Sequence, residues 1–115
     1  METKNEILDL SFEFALNIKD FVEELENKRK FVITHQLLKC GTSIGANIFE
    51  AQSAESKADF IHKLKISDKE AKEIQYWLLL CEKSVHYPFR ENLKSQLLSI
   101  QKLLSKIIST SKKYQ

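Results

Sequence analysis

Eight residues, Phe60, Leu64, Ser67, Ala71, Ile74, Leu78, Cys81 and Val85, follow one another at intervals that alternate between four and three. That spacing holds one face of an α-helix against a partner, over a length of roughly 40 Å at about 1.5 Å per residue. Leu93, Leu97, Ile100, Leu104 and Ile107 repeat the rhythm. Sheets and barrels need many tight turns, and tight turns need glycine and proline. This chain has two glycines and one proline in 115 residues. Long helices with few connections remain. With 43% hydrophobic and 30% charged residues, the chain is too apolar for disorder and about the length of one domain, here residues 1–115.

Two further helices complete the set. Ile7, Leu10, Phe14, Ile18, Phe21 and Leu25 mark one face of a first helix that ends near Asn27, with Thr3 and Glu6 at capping-box spacing before it. Ile33, Leu37, Cys40, Ile44, Ile48 and Ala51 mark a second, running from between Phe31 and Thr34 to about Gln52. Ser56 and Asp59 offer a cap for the third helix. That helix is expected to stop at Tyr87-Pro88, with Pro88 opening the fourth. Short connections make neighbours antiparallel, so the fold class is all-α, an up-down four-helix bundle.

Helix two carries the unusual features. Gly41 and Gly45 each cost roughly 1 kcal/mol relative to alanine inside a helix, so something should compensate. Four apart, they form a thin strip with Thr42 and Ala46 that lets another helix approach closely. Ser43, Asn47 and Glu50 make a polar stripe about 100° from the core stripe, which predicts a hydrogen-bond network fixing helix register.

Catalytic and metal patterns are thin. His35, His62 and His86 are far apart, and no paired ligand spacing predicts a metal or cofactor. Cys40 and Cys81 fall on apolar seams and read as buried, reduced thiols. The spacing of Arg29 and His35 resembles a short motif of small helical RNases, and this is the enzyme alternative to a non-enzymatic reading. No apolar run approaches the roughly 20 residues needed to span a bilayer, and no secretory leader is evident, so no membrane partner and a cytoplasmic setting are expected.

Net charge is +2, unevenly spread. Lys4 and Lys19 face eight acids before residue 28, whereas Arg90, Lys94, Lys102, Lys106, Lys112 and Lys113 face only Glu91 after residue 87. Helix one and helix four are therefore complementary, within a bundle or between subunits. Lys28, Arg29 and Lys30 form a second basic run. These nine residues are the candidate nucleic-acid contacts, as a phosphate-tracking surface or a solvated face. A pure protein-interaction scaffold is the remaining alternative.

The stretch from Ser43 to Ala51, with Gln36, Ser56, Asp59, Phe60, Leu64, Ile66 and Glu73, resembles the bacterial four-helix bundle proteins encoded by intervening sequences of 23S rRNA genes, often labelled ribosomal proteins. Phe49 stands where alanine is usual, Ala51 where glycine is usual and Gly45 where proline is common. The resemblance implies a pentameric ring. It also implies kinship with the accessory variability protein of diversity-generating retroelements, which binds a reverse transcriptase and nucleic acid through a strongly basic surface. RNA, or a ribonucleoprotein such as a nucleic-acid-bound reverse transcriptase, is the partner this suggests. Seven phenylalanines, and more apolar residues on helix one than one seam requires, point separately to a homo-oligomer.

Overall fold

The computed structural model describes residues 5–113. Four helices form: α1 (Glu6–Asn27), α2 (Thr34–Ala51), α3 (Lys57–Lys83) and α4 (Glu91–Lys113). Each packs on its sequence neighbours, and α1 closes onto α4, which makes the expected four-helix bundle. The direction of each pair is legible in cross-helix contacts. Glu50 near the end of α2 meets Lys63 near the start of α3, while Ser43 meets Glu70 further back, so these helices run antiparallel. Asn5 with Gln52, Lys94 with Glu82 and Arg90 with Glu24 establish the same relation for the other three seams.

The core is continuous along the bundle axis. Phe14, Ile18, Phe21 and Leu25 of α1 are fully buried, as are Leu37, Cys40, Ile44 and Ile48 of α2. They meet Leu64, Ala71, Ile74 and Cys81 of α3 and Leu93, Ile100 and Leu104 of α4. The alternating-interval seam of α3 is buried from Leu64 to Cys81. Its two ends depart from expectation. Phe60 is half-buried and packs against the edge of the core, while Ile61 beside it is buried.

The far end departs because α3 stops at Lys83, four residues before Tyr87. Ser84 turns extended and His86 adopts a positive φ of 71°, so Val85 leaves the seam and stands 78% exposed. Pro88 does not open α4, which begins at Glu91. The intervening Phe89 lies half-buried against the core.

Caps explain where the other helices begin. Asn5 accepts from the Leu8 amide at 3.4 Å and caps α1; the expected cap Thr3 lies outside the described residues. Ser56 accepts from the Asp59 amide at 3.0 Å, and Asp59 accepts from the Glu55 amide at 3.2 Å, which fixes the entry to α3.

The end of α1 is a Schellman turn. The Lys30 amide reaches back to the Leu25 carbonyl and the Arg29 amide to the Glu26 carbonyl. Arg29 sits at φ 60°, where glycine is usual.

The glycine strip has its reason inside the bundle. Ile18 of α1 presses on Gly41, and the Ser11 backbone faces Gly45. Ser11 is buried although it is polar, and its hydroxyl is satisfied by donating to the Leu8 carbonyl at 3.1 Å. No helix is long and apolar enough to cross a membrane among the described residues.

Candidate functional site

The polar stripe of α2 faces α3. Ser43 Oγ donates to Glu70 Oε1 at 2.7 Å, and Lys63 Nζ donates to Glu50 Oε1 at 3.1 Å. Asn47 stays on its own helix and donates to the Ser43 carbonyl at 2.9 Å. Ser67, fully buried on α3, donates to the Ile44 carbonyl at 2.8 Å. Three of these bonds link α2 to α3, while Asn47 bonds only within its own helix.

A mixed cluster sits on the same seam. Ligand atoms of Cys40, Glu70 and Glu73 lie within 4.8 Å of one another. Burial pushes the Cys40 thiol up to about 12, with the Glu73 carboxylate adding to the shift. Glu73 is in turn held below the ordinary carboxylate value by the Cys40 thiol and by the Trp77 indole, which donates to it at 3.3 Å. A thiol this reluctant to ionise is a poor nucleophile near neutral pH. Spacing along single helices could not reveal the cluster, since its members come from two. Burial alone also pushes Cys81 up to about 11. Both cysteines are free and buried.

The nine basic candidates fall into a group at the α1–α2 loop end and a run along α4. Lys28, Arg29 and Lys30 occupy the α1–α2 loop. Arg90 lies at that end and is committed to the fold. Its guanidinium pairs with Glu24 at 2.9 Å and lies 5.8 Å from the centre of the Phe21 ring. Lys94 pairs with Glu82 at 3.2 Å. Lys102, Lys106, Lys112 and Lys113 lie further along α4, on its exposed side, and make no ion pair among the described residues.

Near the end of α4 is a feature the sequence reading missed. Lys112 lies beside Lys65 of α3 and holds that ammonium below the ordinary lysine value. The two lysines line a shallow depression of about 330 Å³ with Asp68, Ser105, Ile108 and Ser109. The two ammonium groups outnumber the one carboxylate, Asp68, in this depression. Only the antiparallel pairing of α3 and α4 brings Lys65 to Lys112, so no local motif announces it.

Arg29 and His35 of the nuclease-like spacing sit in a turn and in the first turn of α2, both exposed. Neither makes a side-chain hydrogen bond among the described residues, and no third group orients them.

Two grooves carry part of the exposed apolar surface. Between α1 and α2, Phe12 and Phe49 flank an opening of about 590 Å³ floored by Ser11, Ala15, Gly45 and Ala46. Between α3 and α4, Leu78, Leu79, Leu97, Leu98 and Phe89 line one of about 340 Å³. The acidic helix and the basic helix meet inside the bundle, since α1 packs on α4 through Glu24 with Arg90 and Asn17 with Gln96.

Residues 3–109 match a family model described as 23S rRNA-intervening sequence protein. A solved structure from Bacteroides thetaiotaomicron, described as a protein of unknown function from the S23 ribosomal protein family, is 47% identical and superposes with a TM-score of 0.82. The similarity covers 90% of this chain and 95% of that one. Curated proteins give no match.

Proposed function

The chain belongs to the 23S rRNA-intervening sequence protein family, and from that premise we propose that it is a non-enzymatic, ring-forming bundle that associates with RNA through exposed lysines at its α4 end. The observation that carries the reading is the row of exposed lysines Lys102, Lys106, Lys112 and Lys113 on α4, none in an ion pair among the described residues, with Lys65 of α3 beside Lys112 in a depression that also holds the Asp68 carboxylate and two serine hydroxyls. Each cation that meets a phosphate releases a counterion, which is how a protein of small net charge still holds a polyanion. Assembly enters through the two apolar grooves. They lie on different helix pairs, so a contact between one groove and the other in the next copy is heterologous, and heterologous contacts close into rings. The family resemblance makes five the expected number.

The test is fluorescence anisotropy with a labelled RNA duplex at low and moderate salt. Binding should weaken steeply with salt, and Lys102→Glu with Lys106→Glu and Lys112→Glu should abolish it. Binding unchanged by these three reversals would leave α4 a solvated face. Light scattering at micromolar concentration should give a mass near five chains, and a stable monomer would sink the ring.

The nuclease reading requires RNA cleavage that disappears in His35→Ala. The scaffold reading requires the ring without RNA.

A further inference from the structure

We infer that the opposite end of the bundle, built from the α1–α2 and α3–α4 loops, grips unpaired RNA, with Phe31 as a stacking platform and Lys28 and Arg29 on the flanking phosphates. This rests on the RNA reading above but uses none of its residues.

The two loops form one surface. Lys30 Nζ lies 5.5 Å from the centre of the Tyr87 ring, and Arg90 ties the second loop to Glu24 at the end of α1. On that surface the Phe31 side chain is 59% exposed and Val32 is 86% exposed, with Val85 of the other loop close to that figure. Lys28 and Arg29 are exposed and make no ion pair among the described residues. Glu24, the nearest partly buried acid of α1, is already engaged by Arg90. Glu26 is the acid left exposed on the last turn of α1.

The backbone holds this group in place. The Schellman bonds from Lys30 and Arg29 fix the direction in which the loop leaves α1. The two non-glycine residues with positive φ among the described residues are Arg29 and His86, one in each of these loops. Both are basic side chains at positions where glycine would fit without strain.

An exposed aromatic ring within three residues of several cations is the pairing that single-stranded nucleic acid uses: the ring stacks on a base while the cations follow the backbone. A duplex offers no free base face to Phe31. An anionic membrane would need more apolar surface than three side chains supply, since interfacial binding scales with buried apolar area.

The test compares a labelled single-stranded oligouridine RNA with an RNA duplex of the same length, using the full chain and anisotropy. Phe31→Ala should weaken binding to the single strand about tenfold or more and leave its salt dependence unchanged, because no phosphate contact is lost. Lys28→Glu with Arg29→Glu should weaken it and also lower the slope of log affinity on log salt by about 1.4, or roughly 0.7 per contact. Neither change should much affect the duplex. Phe31→Trp should keep the affinity and show quenching of the new indole on binding.

If Phe31→Ala binds like the native chain while the α4 reversals abolish binding, this inference falls and the function proposed above stands. If the native chain binds neither RNA, both fall. If the native chain binds vesicles containing anionic lipid, and Phe31→Ala removes that binding while leaving RNA affinity unaltered, the surface is a lipid contact and the inference is overturned.

Discussion

A Cβ atom placed on Gly41 would lie 2.8 Å from Cγ2 of Ile18 and 3.1 Å from its Cβ, so α1 and α2 touch through a position that has no side chain of its own. The same atom placed on Gly45 would lie 3.4 Å from the Ser11 carbonyl and hydroxyl oxygens, an ordinary contact. The two glycines look alike in the sequence and differ here.

That difference gives opposite outcomes for one substitution. Gly41→Ala should destabilise by about 1–2 kcal/mol, the net of overpacking against Ile18 and the better helix propensity of alanine. Gly45→Ala should be neutral or stabilise by up to about 1 kcal/mol. Urea denaturation of the two variants decides this, and the reverse order would show that α1 and α2 are not in this register.

Arg29 offers a second measurement. A non-glycine residue at φ 60° stores about 1 kcal/mol of strain that glycine does not. Arg29→Gly should therefore raise the urea midpoint, while removing one cation from the loop surface. A loss of stability would mean that the arginine side chain makes contacts that offset the strain.

The buried Ser67 hydroxyl bridges α3 to the Ile44 carbonyl of α2. Ser67→Ala removes a bond contributing about 1 kcal/mol and leaves a carbonyl still bonded within its own helix, so the cost should stay near that value. A cost above about 3 kcal/mol would mean that the hydroxyl holds more of the seam than this one bond.

The thiols predict an alkaline limit. Both have folded values raised above the ordinary thiol value of 9.0, Cys40 to about 12 and Cys81 to about 11. A raised acid holds its proton more tightly when folded. Its stabilising contribution is full below the unfolded value and is lost as pH rises through the folded one. Stability should therefore fall between about pH 9 and 12, with the Cys81 share lost by about pH 11. The Cys40→Ala, Cys81→Ala double variant should show a shallower fall, because lysine and tyrosine titration is common to both proteins. Equal slopes would show that the thiols are not held protonated by the fold.

The helices and the centre of the core were legible in the sequence because both depend on spacing within ten residues. Leu64, Ser67, Ala71, Ile74, Leu78 and Cys81 are buried as their intervals require. Val85 keeps the interval and is exposed, since a periodic pattern does not register the turn at Ser84 or the positive φ at His86.

The surfaces were less legible. Arg90 reads as a free cation in sequence and is a structural partner of Glu24, a residue 66 positions away. Glu70 and Lys65 carried no motif because their partners, Ser43 and Lys112, stand on other helices.

The packing of α1 on α4 has a kinetic meaning. Each of the other three seams joins helices connected by a short loop, so those seams form at small entropic cost. The α1–α4 seam joins the two ends of the sequence and is polar along much of its outer edge, where Asn17, Gln96, Glu24 and Arg90 pair. It has no tether to re-form it once separated. The bundle should breathe by swinging α1 or α4 away while α2 and α3 stay paired, so amide hydrogens on α2 and α3 should exchange last.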